Sequence, residues 1–149
     1  MASVVHRTSG RCHCGAVTVE LDLSQPPDAL RVRACQCGFC RPRGTRTIAD
    51  TSGAARIVLS RADAANRYRF GLKLADYLVC ATCGTYIGAV QQDPDRSIAV
   101  INVAGLDVPE FRGRTADPVT YDNETPEARQ SRRRTYWMPV EIIVAGGRP

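Results

Sequence analysis

The sequence predicts a mainly β protein, a single domain over residues 1–149 tied together by metal-bound cysteines. Two observations lead to this prediction. Apolar and polar residues alternate with the period of a β-strand in several segments, and seven cysteines fall into three tight groups. A chain of 149 residues with 44% hydrophobic content is long enough to bury one core and too short to favour a second domain.

The predicted strands come from this alternation. Val17, Val19, Leu21 and Leu23 lie on one face of a strand over residues 16–23, and polar residues occupy the other face. Turn residues separate this strand from the ones that follow. Further strands are predicted over residues 30–34, 56–60, 67–70, 73–79, 86–90 and 97–103, the last two as a hairpin.

One short helix is predicted near the C-terminus. Thr125 is a good N-cap residue, and Pro126 suits the first helical position because its missing N–H would have no partner there. The helix continues through Arg134. After it, a run of apolar residues predicts a buried strand over residues 140–144.

Four of the cysteines form two pairs, Cys12 with Cys14 and Cys80 with Cys83, each followed by glycine. The odd cysteine count and the Cys-x-Cys spacing favour zinc in a reducing compartment over disulfides. Four thiolates make a closed structural zinc site. Since the pairs are far apart in the sequence, this metal would join distant strands and add its binding energy to folding.

The remaining cysteines, Cys35, Cys37 and Cys40, supply three ligands and so leave a coordination position open, as in catalytic zinc sites. Three thiolates make the zinc complex negative, which suits a soft substrate thiolate better than water activation. A ligand of another kind could instead close this site. His13 is the nearest candidate by residue type, but in an extended stretch its ring would point away from the sulfurs.

Several function classes are disfavoured by the composition. The net charge is +5, but the arginines are spread along the chain and aromatic residues are few, which argues against a nucleic acid partner. A zinc nucleobase deaminase needs a catalytic glutamate, and Gln36 occupies the space between the cysteines. No apolar run predicts a membrane span or signal peptide, so we expect a cytoplasmic protein.

Three motifs, residues 10–17, 35–41 and 80–87, together resemble those of the glutathione-dependent formaldehyde-activating enzyme family, which also includes centromere protein V. The similarity in order and spacing covers residues 10–103. Family members often carry histidine and serine where this chain has Gln36 and Gly38. These two differences remove a proton carrier and a hydroxyl from the open site.

The resemblance implies several coiled antiparallel β-sheets and two zinc ions per chain. It implies carbon–sulfur lyase activity on small-molecule thiol–aldehyde adducts such as S-hydroxymethylglutathione. It also assigns the cysteines: the structural zinc would be held by Cys12, Cys14, Cys80 and Cys83, and the catalytic zinc by Cys35, Cys37 and Cys40.

Arginine binds carboxylates through a planar fork, and glutathione-like substrates carry two carboxylates. Arg41 and Arg43 flank the open site and, with Gln36, are the candidate substrate contacts. The arginines over 132–134 are expected on a solvated helix face, because successive helical residues point in different directions. The sequence assigns no function to these arginines, and it does not indicate an oligomeric state.

A second hypothesis belongs to a different class. Both metals could be structural, with the three-cysteine site closed by water or by a partner's ligand. The chain would then be a binding module whose basic surface holds a nucleic acid or an acidic protein. The property that separates the two hypotheses is an exchangeable coordination position at the three-cysteine site.

Overall fold

The computed structural model of the protein describes residues 6–146. Within this range the chain forms eleven strands and one α-helix, which confirms the mainly β class and the short helix near the C-terminus. The helix, α1, spans Pro126–Tyr136. The strands are β1 (His6–Arg11), β2 (Val17–Leu23), β3 (Arg33–Cys35), β4 (Thr47–Ile48), β5 (Ala54–Leu59), β6 (Ala65–Tyr68), β7 (Asp76–Cys80), β8 (Tyr86–Gln92), β9 (Ser97–Asn102), β10 (Asp117–Val119) and β11 (Met138–Val144).

All of these strands belong to one hydrogen-bonded sheet. Its main path runs in the order β1-β2-β5-β11-β9-β4-β3-β10, and β8, β7 and β6 branch from β9. Most neighbours are antiparallel, but β11 runs parallel to β5 and β10 runs parallel to β3. The expected arrangement of several antiparallel sheets is therefore refined to one branched sheet in which two late strands run beside early ones.

The main core lies on the buried face of β2 and β5. Val17, Val19, Leu21 and Leu23 are each at most 1% exposed, which confirms the alternation predicted for this strand. Burial of each such side chain stabilises the fold by roughly 1.5–3 kcal/mol. The same apolar cluster includes Cys12 and Cys80, so the four-cysteine group borders the main core.

The predicted strands in the middle of the chain are confirmed with shifts of a few residues, including the hairpin of β8 and β9. The strand predicted over 30–34 is shorter, because Pro27–Ala29 forms a 3-10 helix and extended pairing begins only at Arg33. Three strands were not predicted. β1 has no apolar side chain in its sequence, and β4 and β10 are only two and three residues long.

The helix is confirmed in detail, and the last strand is partly corrected. The Thr125 hydroxyl accepts a hydrogen bond from the Ala128 N–H at 3.1 Å, as expected of an N-cap residue. The strand predicted as buried over 140–144 exists, but Ile143 and Val144 are 36% and 40% exposed. The apolar run thus predicted the strand correctly but not how deeply it is buried.

Within residues 6–146, no helix has the length and apolar character needed to cross a bilayer.

Asp76, at the start of β7, is the buried partner of two arginines. Its carboxylate accepts hydrogen bonds from Arg69 Nε at 2.6 Å and Arg67 Nη1 at 3.2 Å, and the residue is 7% exposed. Burial acts to raise the pKa of Asp76, but the two guanidinium groups outweigh it and lower the pKa below its ordinary value of 3.8. The ionised carboxylate therefore stabilises β7, the strand that leads to Cys80.

We predict that Asp76→Asn lowers the free energy of unfolding by about 1–2 kcal/mol, since the half-exposed arginines lose a charged acceptor. Because the pKa of Asp76 is lowered in the folded state, its stabilising contribution is fully present at every pH above the unfolded-state pKa. The loss of unfolding free energy should therefore be the same at every pH between 8 and 5. Urea unfolding at several pH values measures it, with Asp63→Asn, an exposed residue paired with Arg61, as the control. A loss that shrinks as the pH falls to 5 would show that the pKa is raised instead.

Candidate metal centres

The four-cysteine group is assembled from two distant turns. Cys12 and Cys14 follow β1, and Cys80 and Cys83 lie at and after the end of β7. Sγ of Cys14 lies 3.7 Å from Sγ of Cys12 and 3.6 Å from Sγ of Cys80, and all four sulfurs lie within 4.8 Å of one another. The structure thus brings together the two pairs that the sequence assigned to one site.

Both turns need glycine and direct backbone N–H groups at sulfur. Gly15 and Gly84 have positive φ values of 82° and 79°, which glycine adopts without a steric cost. Their N–H groups donate to the carbonyls of Cys12 and Cys80 at 3.1 and 3.0 Å and close the turns. The Val17 N–H then donates to the Cys12 sulfur at 3.3 Å. Each turn is shaped to stabilise a thiolate.

The sulfur spacing fits a tetrahedral metal. With Zn–S bonds of about 2.3 Å, a tetrahedron places its sulfurs about 3.8 Å apart, close to the distances between Cys14 and its two neighbours. The pKa values show what a bound cation would have to change. Burial raises the pKa of Cys12 to about 11. Burial also acts to raise the pKa of Cys83, but hydrogen bonds from Thr85, Cys14 and Cys80 outweigh it and lower this pKa to about 5. Four thiolates coexist only beside a positive ion.

The three-cysteine group lies at the end of β3. Cys35 is the last residue of this strand, Cys37 lies in the turn that follows, and Cys40 precedes the 3-10 helix Arg41–Arg43. Their sulfurs all lie within 4.8 Å of one another. The Cys40 N–H donates to the Cys37 sulfur at 3.4 Å. Cys40 is buried, and Cys35 and Cys37 are half-buried.

Negative charge in this group concentrates on one sulfur. Hydrogen bonds from the thiols of Cys35 and Cys40 lower the pKa of Cys37 to about 2. The pKa of Cys40 is raised, first by its hydrogen bond with Cys35, then by the bond with Cys37 and by burial. The pKa of Cys35 is also raised, with its bond to Cys37 as the largest cause. A single thiolate is therefore stable in this group, and ionisation of the other two thiols needs a nearby cation, which three sulfurs this close together could hold.

Two cavities adjoin these three cysteines. The outer cavity has a volume of about 380 Å³ and lies against Cys35 and Cys37. The inner cavity has a volume of about 60 Å³ and lies against Cys35 and Cys40. Neither cavity is lined by a residue of the four-cysteine group. A third cavity, of about 720 Å³, lies against Cys12 of the four-cysteine group, so the two groups differ in their number of cysteines and in the side chains around them rather than in the presence of a cavity.

Aromatic rings form one wall of the three-cysteine site. The Phe39 ring packs edge-on against Tyr86 at 4.9 Å and Tyr77 at 5.1 Å between ring centroids, and Phe70 packs 5.3 Å away. Burial raises the pKa of Tyr77 to about 12 and raises that of Tyr86 well above its ordinary value. Both phenols stay neutral at physiological pH and can donate hydrogen bonds, but they are poor bases there.

Helix α1 forms another wall, which the sequence analysis missed. The Arg132 guanidinium lies 3.5 Å from the centroid of the Tyr121 ring and donates to Glu124 at 2.6 Å, and Arg132 lines both cavities. Arg133 is 5% exposed. The expectation of a solvated helix face is correct for Arg134, whose side chain is 51% exposed. It is wrong for Arg133 and for Arg132, whose side chain is 18% exposed.

The sequence held only a weak indication of this wall. Trp137 lies four residues after Arg133, the spacing at which helical side chains meet, and the guanidinium indeed lies 4.6 Å from the centroid of this ring. Residues of α1 and the cysteines line the same cavity although they are about one hundred residues apart in the sequence. No local sequence pattern predicts such a long-range arrangement.

The predicted substrate contacts lie around the edge of the site. The exposed Gln36 side chain donates to the Ala34 carbonyl at 2.8 Å. Arg43 donates to the Phe39 carbonyl at 2.8 Å, and its guanidinium lies 4.0 Å from the Phe39 ring, outside both cavities. Arg41 is exposed. A substrate-binding function for these three residues stays a prediction.

Neither histidine joins a cysteine group among the described residues. His13 is exposed beside the four-cysteine group, which agrees with the expectation that its ring points away from the sulfurs. His6 is on β1, and its Nε2 lies 2.8 Å from a carboxylate oxygen of Glu110. Within residues 6–146, the three-cysteine group therefore has no fourth protein ligand of the Cys, His, Asp or Glu type.

The fold and the two cysteine groups define a class: a mainly β protein with two groups of cysteines, one of four sulfurs and one of three, each of which could hold a metal ion. The chain belongs to the glutathione-dependent formaldehyde-activating enzyme family, because the model of that family matches residues 7–121. This confirms the resemblance carried by the three cysteine motifs.

A solved structure and the curated proteins provide two further comparisons. The crystal structure of a Rhodobacter sphaeroides protein, a structural genomics target, is similar with a TM-score of 0.57 and 32% sequence identity. The similarity covers 74% of this chain and 99% of that one. None of the curated protein sequences shows significant similarity to this chain. Helix α1 and β11 lie beyond the residues matched by the family model.

We predict different consequences for equivalent substitutions in the two groups. Cys83→Ser should lower the melting temperature by several degrees, because a metal that joins two distant turns loses a ligand. Cys37→Ser should leave the fold and the first metal in place and remove only the second. Both cysteines are half-buried, so the two variants are matched. Equal losses of melting temperature, with equal losses of metal, would refute the separate assignments.

We also predict that the two metals differ in lability. A site with an open position exposes its ion to competing ligands, so mild chelation should remove about one zinc per chain and leave the β circular dichroism spectrum unchanged. Metal analysis and the spectrum are followed together during the titration. Simultaneous loss of both metals with unfolding would mean that both sites are closed and structural.

Proposed function

We propose that the protein is a zinc-dependent carbon–sulfur lyase that acts on thiol–aldehyde adducts of the S-hydroxymethylglutathione type. The observation that carries this proposal is the position of Cys35 and Cys37, half-buried at the edge of a cavity of about 380 Å³. The family description, which names glutathione and formaldehyde, supports the same chemistry. We further propose one domain over residues 1–149, in the cytoplasm, where thiolates stay reduced.

In this proposal the four-cysteine group holds a structural zinc and the three-cysteine group a catalytic one. Zinc held by Cys35, Cys37 and Cys40 would supply positive charge and an exchangeable position that favours the thiolate form of the substrate sulfur. The task of the three cysteines is to hold the ion at the edge of the cavity.

The reaction itself requires little acid–base chemistry from the protein. In cleavage of R–S–CH₂–OH, the carbon–sulfur bond breaks, its electron pair stays on sulfur, and the hydroxyl oxygen forms the carbonyl of formaldehyde. The hydroxyl proton is released, and we propose that water accepts it. Gln36 occupies the position where family members often carry histidine, and its amide does not titrate.

The aromatic wall would exclude water from the reacting carbon and orient the hydroxyl. Tyr77 lines both cavities, and Tyr86 lines the inner one. Because burial keeps both phenols protonated, each can donate a hydrogen bond to the oxygen that becomes the carbonyl. We keep Gln36, Arg41 and Arg43 as proposed contacts for the more distant parts of a glutathione-like substrate.

The alternative of a basic binding surface has less support in the structure. Several of the arginines are paired with carboxylates: Arg56 with Glu20 and Glu141, and Arg112 with Asp107. These pairs neutralise charge that a nucleic acid would need to contact. The small-molecule thiol adduct is therefore the partner we propose.

The test of this function is turnover of the adduct. Glutathione and ¹³C-formaldehyde form it spontaneously, so magnetisation-transfer NMR at equilibrium measures the exchange rate with and without protein. The zinc-loaded wild type should raise this rate above the spontaneous value, and Cys37→Ser at the same concentration should return it to that value. The variant retains the surface of the protein and so controls for general acid–base effects.

Other thiols and aldehydes extend the measurement to adducts that differ from the glutathione one. If no thiol binds at the three-cysteine site and no adduct exchanges faster than background, the lyase hypothesis is wrong. The zinc-stabilised binding module would then take its place.

A further inference from the structure

Two arginines at the three-cysteine site take no part in the proposed reaction. Arg133, on α1, and Arg33, on β3, both line the inner cavity together with Cys35 and Cys40. Helix α1 lies outside residues 7–121, the part matched by the family model. Whatever Arg133 binds is therefore a property of this chain rather than of the matched motifs.

Arg133 is a buried cation without a carboxylate partner among the described residues. Its Nη1 donates to Gln91 Oε1 at 3.3 Å, and the guanidinium plane lies over Trp137. Its Nε is buried and has no hydrogen-bond acceptor in the described part of the chain. A buried charge with an unused donor is costly unless an anion joins it.

Arg33, which lines the same cavity, also has an unpaired donor within the described part of the chain. It lies two residues before Cys35, and its Nε is also buried without an acceptor among the described residues. By contrast, Arg129 and Arg132 both donate to the Glu124 carboxylate. The charges of these two are compensated, and those of Arg33 and Arg133 are not.

The shape of the guanidinium groups indicates what could compensate them. The inner cavity, of about 60 Å³, has room for a small anionic group, since one water molecule needs only about 10–15 Å³ of such space. A carboxylate is such a group, and its two oxygens match the planar fork of a guanidinium. Glutathione-like substrates carry carboxylates, which makes this the anion that the proposed function supplies.

We propose that Arg133 and Arg33 form an anion subsite that binds a substrate carboxylate while the substrate sulfur lies at the three-cysteine group. This inference rests on the proposed function and narrows it: the favoured adducts are those of thiols that carry a carboxylate a few bonds from sulfur. Arg133 and Arg33 are specificity residues and take no part in bond cleavage.

The experiment compares two thiols that differ only in charge. Isothermal titration of the zinc-loaded protein gives the Kd of 3-mercaptopropionate and of its neutral amide, 3-mercaptopropionamide. We expect the wild type to prefer the acid at least 10-fold. Arg133→Gln should lower this preference at least five-fold and leave the Kd of the amide unchanged. Arg134→Gln, on the same helix but facing Asp93, is the matched control and should keep the preference.

Arg33→Gln provides a second variant if replacement of the more deeply buried Arg133 prevents folding. Zinc content and melting temperature are recorded for every protein. An unchanged preference in the folded variants would overturn the proposal. A parallel loss of acid binding, amide binding and zinc would also overturn it, because it would show that the arginines only balance the negative charge of the thiolates.

A failure of the proposed function gives a different result. If neither thiol binds to the wild type, the lyase proposal is wrong, and propionate, which has no sulfur, tests the subsite alone. Propionate binding that is weakened at least five-fold by Arg133→Gln would uphold the anion subsite. Absence of propionate binding to the wild type would overturn it.

Discussion

Repulsion between closely spaced thiolates is the constraint on which this structure depends. Seven sulfurs are held in two groups, each with all its members within 4.8 Å of one another. Without cations, the pKa values within a group separate, so that Cys37 ionises readily while Cys40 does not. A metal ion would make all the thiolates stable together, and in the four-cysteine group it would join the turns that follow β1 and β7.

The two groups differ in what surrounds them, and this difference leads from fold to function. The four-cysteine group borders the main core through Cys12 and Cys80, and the geometry of its turns satisfies the sulfurs with backbone N–H groups. The three-cysteine group lies between an aromatic wall, the helix α1 and two cavities. The first arrangement links the sulfurs to the main core, and in the second the two half-buried cysteines border a cavity of about 380 Å³.

Local patterns were enough to predict much of the molecule. Alternation predicted β2, the N-cap of Thr125 predicted α1, and cysteine spacing predicted both ligand groups. The sequence did not predict β1, which has no apolar face and pairs through its backbone. It also predicted Arg133 as solvent-exposed, whereas the residue is buried. The spacing between Arg133 and Trp137 was the one local indication, and it does not identify the sheet residues that pack against α1. The parallel pairing of β11 with β5 is likewise a property of distant segments.

The central claim is that this chain holds two metals with different coordination, one closed and one open to a thiol. Crystals grown with zinc and 3-mercaptopropionate, measured on both sides of the zinc absorption edge, test it most directly. We expect two zinc peaks per chain, one bound by four cysteine sulfurs and one by three cysteine sulfurs and the sulfur of the added thiol. A single zinc peak, or a second zinc whose fourth ligand is a protein side chain, would contradict the account.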